Sequence, residues 1–240
     1  MKKSYMKKLM SSLAFLPLAL IVQVAVANEM QISVTAPIDV TDYASLQRGA
    51  RTFVNSCLNC HSANYMRYNR LKDIGLSEQQ IKDNLLLAGE KVGDPMKVAM
   101  NPKDAKKWFG VAPPDLSVEV RARGADWVYA YLRGFYRDST TPTGWNNTVY
   151  DKVAMPHVLY ELQGEQVLNH ETHKLELVKP GKLNPAEYNA FVGDLTNFMA
   201  FMAEPAKQQR QHLGLWALLF LSVLLVLVIK LKKEYWKDIR

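Results

Sequence analysis

The chain's only two cysteines stand three positions apart, in Cys57-Leu58-Asn59-Cys60-His61. Two thiols at that spacing, followed directly by an imidazole, match one chemistry closely. Each sulfur adds to a vinyl group of a porphyrin and the histidine binds the iron from one side, which is the attachment site of a c-type haem. Two thioether bonds make the cofactor permanent, and that suits a one-electron carrier better than a protein that exchanges its haem. Other uses of the pair are weaker. A disulfide would close a very short loop and remove little freedom from the unfolded chain. A thiol redox pair would need a βαβ pattern around it. Zinc would need further ligands, and His157, His170, His173 and His212 are scattered with no second cysteine pair.

An electron-transfer haem also needs a ligand on its other face. A methionine thioether there raises the potential by favouring ferrous iron. After residue 27 the methionines are Met30, Met66, Met96, Met100, Met155, Met199 and Met202. Met199 and Met202 fall on a helical apolar stripe. Met66 follows His61 too closely to cross to the opposite face, and Met30 lies near the start of the mature chain. Met96, Met100 and Met155 remain. Met155 sits in a loop, where Pro156 fixes the backbone behind it.

The elements that must position these residues begin with the ends of the chain. Residues 1–27 read as a secretory signal: Lys2, Lys3, Lys7 and Lys8, then an apolar run, then Ala25-Val26-Ala27 as the cleavage site. The charged residues of this segment are lysines alone, unlike an Arg-rich mitochondrial presequence, so a bacterial source is expected. Leu213 to Ile229 carries no charge and is apolar all round. At roughly 1.5 Å per residue it spans about 25 Å, the short limit for a membrane helix, which flanking residues extend by snorkelling. The expected layout is a signal at 1–27, a periplasmic domain at 28–210, a transmembrane helix at 211–231 and a cytoplasmic tail at 232–240. From Lys230 to Arg240 five basic residues stand against two acids, which orients this end inward.

This layout also explains the charge. The formal net charge is +7; four charges belong to the signal and a net three to Lys230–Arg240, so the exported part is neutral. The basicity reports targeting and topology, and no nucleic-acid partner is expected.

Within the exported part, Asp42 caps a helix expected to run through Leu46, Ala50, Phe53, Val54 and Cys57. Gly49 interrupts it, and a close approach of a second helix would explain the glycine. The partner is a helix from Asn184 to Ala203, with Asn184 and Glu187 as a capping box and Pro185 at its first position. Its buried stripe is Phe191, Val192, Leu195, Phe198, Met199 and Met202. Ser77 to Ala88, with a Ser77–Gln80 box, and Asp126 to Arg133 read as shorter helices. A hairpin is expected within Tyr160 to Val178. The remainder is rich in Pro, Gly and Asn, which suits long loops around a large flat cofactor.

Five segments together give a more specific expectation: Cys57-Leu-Asn-Cys-His-Ser62, Ala112-Pro113-Pro114-Asp115-Leu116-Ser117, Ala122-Arg123, Ala154-Met155-Pro156 and the C-terminal anchor. In these the chain resembles cytochrome c1, the haem subunit of the cytochrome bc1 complex (ubiquinol–cytochrome c reductase), from Tyr43 to the tail. The resemblance implies a mostly α, cytochrome c-like haem domain with long loops and one C-terminal transmembrane helix. It implies one covalent haem c on Cys57 and Cys60, with His61 and Met155 as axial ligands. Pro113 and Pro114 would line the haem on the His61 side, where a carbonyl could fix the imidazole tautomer. Arg123 would pair with a propionate. Trp127 stands where relatives carry Tyr, and the extra disulfide of some relatives is impossible here. Asp115 reads as a helix or loop cap, Trp145 as haem packing, and His157, His170 and His173 as ordinary loop histidines.

The implied role is to carry single electrons from a Rieske iron–sulfur protein to a soluble periplasmic cytochrome c. The protein would sit beside a cytochrome b subunit in a dimeric complex of the bacterial inner membrane. It would be a redox subunit of an oxidoreductase and no enzyme on its own. A membrane-tethered cytochrome c shuttling to a terminal oxidase shares the haem, the signal and the anchor; the Pro-Pro-Asp-Leu-Ser segment argues against it.

Overall fold

The computed structural model describes residues 34–98 and 100–239. The signal at 1–27 and the mature start lie outside the described residues. About half of the described chain is helical.

The first helix, α1 (Tyr43–Thr52), starts where Asp42 accepts a hydrogen bond from the Ser45 N–H. It does not continue as α-helix to Cys57. Residues Phe53–Cys57 form a wider π-helical turn, closed by the Leu58 N–H on the Phe53 carbonyl. Such widened turns insert a residue without ending the helix and recur at functional sites. Here the widening falls on the residues leading into the haem motif. β1 (Ala63–Arg67) and a 3₁₀ helix (Tyr68–Ile74) follow, then α2 (Glu78–Asn84) with both halves of the Ser77–Gln80 box formed. α2 stops at Asn84, short of the expected Ala88, because Leu85 leaves helical geometry and is buried.

β2 (Pro95–Met96) pairs antiparallel with β1, and α3 (Pro102–Phe109) comes next. Two further helices, α4 (Glu119–Arg123) and α5 (Ala125–Arg133), meet at Gly124, whose φ of +90° suits a residue without a Cβ. β3 (Phe135–Arg137) pairs with β4 (Trp145–Asn147). The expected hairpin begins later than Tyr160, since Tyr160–Gln163 forms the short helix α6; β5 (Gly164–Asn169) and β6 (Lys174–Pro180) are its strands.

α7 (Pro185–Ala203) carries the expected capping box of Asn184 and Glu187. It packs on α1 at Gly49. A Cβ added there would lie 2.1 Å from the Asp194 carbonyl oxygen and 2.6 Å from Phe198 Cβ. The two helices are also tied by Arg48, which donates to both Asp194 carboxylate oxygens at 2.6 and 2.9 Å. Val192, Leu195, Phe198, Met199 and Met202 are buried as expected, while Phe191 is only half-buried. The main core therefore runs along α1 and α7 and takes in the 3₁₀ helix and α5.

After Pro205, α8 (Lys207–Tyr235) extends for 29 residues, longer at both ends than the expected span. None of its residues is buried against the rest of the chain. A helix apolar on every side with no protein covering is built to meet lipid. The architecture is a haem-domain-like helical body plus one transmembrane helix.

Candidate functional site

The turn of Cys57 to His61 is organised by a single carbonyl: Cys57 O accepts from the Cys60 N–H at 3.1 Å and the His61 N–H at 2.9 Å. Both cysteines are half-buried, and they are not joined in a disulfide.

The loop of residues 112–117 is stitched to the strand that leaves this turn. Asp115 accepts from the Asn64 N–H, the Asn64 side-chain amide and the Ser117 N–H. The Leu116 N–H donates to Ser62 O, and the Tyr65 N–H donates to Ser117 Oγ. The loop cap expected of Asp115 is what the side chain does. Held this way, Pro114 presents its carbonyl oxygen 2.8 Å from His61 Nδ1. A carbonyl can only accept, so Nδ1 carries the proton and Nε2 keeps its lone pair. Burial lowers the His61 pKa, which favours the neutral ring that a metal needs. Pro113 lies beside Cys60, Met100 and Lys97 in the wall of a cleft of about 250 Å³.

The three candidate methionines separate by environment. Met96 is fully buried in the main core on β2. Met100 lines the cleft near Cys60. Met155 is half-buried against a second cluster of Phe135, Trp145 and Val153, and its sulfur accepts a hydrogen bond from Tyr131 Oη at 3.4 Å. Tyr131 projects from α5, stacked on Trp127 with ring centroids 5.1 Å apart and planes 9° from parallel. Burial raises the Tyr131 pKa well above the usual tyrosine value, so its hydroxyl stays a donor.

Arg123, at the end of α4, lies over the Trp127 ring at 4.5 Å and gives its Nε to Glu119. Its planar tip is thus oriented by one carboxylate and one aromatic face. Glu119, on α4, acts electrostatically on both His61 and Tyr131.

Two residues depart from the sequence reading. His157 is no ordinary loop histidine: it is buried, stacked 4.8 Å from Phe135 with planes 2° apart, and edge-on to Trp145 at 5.0 Å. Burial lowers its pKa to about 4. Tyr131 carried no sequence signal, since its partner is 24 residues away on an irregular loop.

These residues suit a covalent haem: two thiols on one turn, a tautomer-fixed imidazole, and a thioether on a separate loop. The decisive comparison is with the cytochrome C1 family, whose model matches residues 32–94 and 88–239. The chain belongs to the cytochrome c1 family. A cytochrome c1 of Allochromatium vinosum is 48% identical over 85% of this chain and 88% of that protein. A protein of Nitrosomonas europaea named ammonia monooxygenase gamma subunit is 53% identical over 96% of this chain and its whole length. The mitochondrial cytochrome c1 of Saccharomyces cerevisiae is 26% identical over 85% of this chain and 70% of that one. As a cytochrome c1, the chain carries a covalently bound c-type haem. It is a membrane-anchored redox subunit of a bc1-type complex and not an enzyme by itself.

Proposed function

We propose that this cytochrome c1 takes one electron at a time from a Rieske iron–sulfur protein and passes it to a soluble periplasmic cytochrome c. In this reading Cys57 and Cys60 would hold one haem covalently, and His61 and Met155 would bind its iron. The haem supplies the one-electron couple; the chain sets ligation, access and distance. The observation that carries the reading is the Pro114 carbonyl on His61 Nδ1. It aims Nε2 away from the backbone, as a metal-bound histidine needs, and hydrogen bonds from the other ring nitrogen fix ring orientation and ligand basicity in such sites. Arg123, steered by Glu119 and Trp127, offers its Nη groups to a propionate, while Pro113 and Pro114 form the wall on the His61 side.

The signal segment and the basic tail support a periplasmic haem domain and a cytoplasmic C-terminus in a bacterial inner membrane. The family supports a cytochrome b subunit and an iron–sulfur subunit as neighbours, in a complex that is dimeric. Purification in mild detergent tests this. Co-isolation with a b-type cytochrome and an iron–sulfur protein, and quinol-dependent reduction of the covalent haem, are the expected results. A lone pigmented protein that quinol does not reduce would return the chain to the tethered-shuttle reading. Within the site, Met155→Leu should leave the haem attached and lower its potential strongly; an unchanged potential would move the ligand to Met96 or Met100.

A further inference from the structure

The sulfur of Met155 has a contact that iron ligation does not use. A thioether sulfur has two lone pairs, so a bond to iron leaves one free to accept a hydrogen bond. Tyr131 Oη supplies it, at 3.4 Å. The hydroxyl is well anchored. The Tyr131 ring is stacked on Trp127 and meets Phe135 edge-on, with centroids 5.2 Å apart. α5 is in turn fastened to α7, where Tyr188 Oη donates to the Leu132 carbonyl at 2.9 Å and Arg133 Nε donates to the Asn189 side chain at 2.6 Å. Phe135 also packs in the cluster that holds Met155, so one group of rings fixes both donor and acceptor.

We propose that Tyr131 is a positioning residue for the sixth haem ligand: its hydroxyl holds the Met155 sulfur in place and raises the reduction potential of the haem. The inference rests on Met155 as ligand. The O–H dipole points its positive end at the sulfur, in a half-buried and therefore weakly screened site. Ferric iron carries one more positive charge than ferrous, so the dipole disfavours the oxidised state more. Charge withdrawn from the sulfur acts in the same direction. The aromatic ring alone satisfies the packing, which leaves the oxygen to this one contact among the described residues.

The test is Tyr131→Phe in the full chain, purified in its native complex. The haem should remain covalently attached. At a fixed ambient potential the ratio of reduced to oxidised haem should fall about fivefold, the size of one modest hydrogen bond. The weak red charge-transfer band of thioether-ligated ferric haem should persist at a shifted position. Tyr131→Leu, which also lacks the hydroxyl but keeps apolar bulk, should show the same fall. An unchanged ratio and band in either variant would overturn the proposal. So would loss of the pigmented protein in both, because Tyr131 would then be a core residue only. Met155→Leu separates the two readings: it should abolish the band. If that variant keeps the band, the ligand assignment fails; if it loses the band while Tyr131→Phe changes nothing, only the tyrosine's role fails.

Discussion

At the scale of residues, the Pro-Pro-Asp-Leu-Ser segment is explained by one carboxylate. Asp115 collects three N–H donors from two segments, and the collected loop aims a carbonyl at His61. Asp115→Ala would leave those donors to water, since the residue is exposed at the surface. The expected cost is about 1–2 kcal/mol, the lower part of the range for stranded partners. For a domain of this size that is a fall of several degrees in melting temperature, read from the haem absorbance on heating. Asp115→Asn keeps one carboxylate-like oxygen and should recover part of the loss. Equal melting of Asp115→Ala and the parent would show that the loop is held by its backbone bonds alone. The cysteines and His61 stood out in the sequence because they form one contiguous motif, and the cap by Asp115 because Ser117 lies two residues on; the ties of Asp115 to Asn64 and of His61 to Pro114, more than 50 residues apart, were not legible in any local pattern. Tyr131 and His157 were not, because each is defined by rings that reach it from β3, β4 and α5. No local pattern encodes that meeting.

At the scale of elements, capping and apolar spacing located α1, α2, α5, α7 and α8 within a few residues. They missed α3, although Asn101 caps it and Pro102 opens it, the short helices α4 and α6, the π-helical turn at Phe53–Cys57, the early end of α2, and the short pairs β1–β2 and β3–β4. The turn and the strand pairs depend on long-range packing that overrides local preference, whereas α3 carried local start signals that went unread. The glycine in α1 was legible in kind, since a helix breaker in a strong apolar stripe asks for a close neighbour. Gly49→Ala would place its methyl within 2.1 Å of a backbone oxygen that cannot move alone. α1 and α7 would have to separate, and overpacking of this sort costs about 1–3 kcal/mol or more. Lower thermal stability and a smaller yield of haem-loaded protein are the expected outcomes; an unaffected melting curve would refute the close approach. The β5–β6 hairpin makes a second prediction. Arg137 and Lys179 hold the Glu165 carboxyl at about 2, below its usual value. A depressed carboxylate pKa stabilises the fold above the unfolded value and loses that contribution as pH falls toward the folded one. Glu165→Gln should therefore flatten the stability profile between about pH 4.5 and pH 2 relative to the parent, in acid titrations followed by circular dichroism.

At the scale of the whole molecule, the haem-binding body and α8 are separable in their energetics. The body's core is closed by α1, α5 and α7, and α8 contributes no buried residue to it. The junction is light: Glu204 takes Arg210 at 3.0 Å from the start of α8, and Arg121 at 2.9 Å from the body. An exposed ion pair such as Glu204–Arg210 contributes about 0–1 kcal/mol. A chain stopped after Ala206 therefore loses almost nothing that folds the rest. Its 29-residue partner, by contrast, leaves an apolar surface that water penalises at about 25 cal/mol per Å². The truncated protein should be exported, carry covalent haem with an unshifted absorption spectrum, and stay in the aqueous fraction without detergent. The full chain should sediment with membranes and resist extraction by high salt, since apolar burial is not screened as ion pairs are. A truncated form that aggregates or arrives without pigment would mean that α8 helps to build the body, and the division drawn from its unburied residues would be wrong.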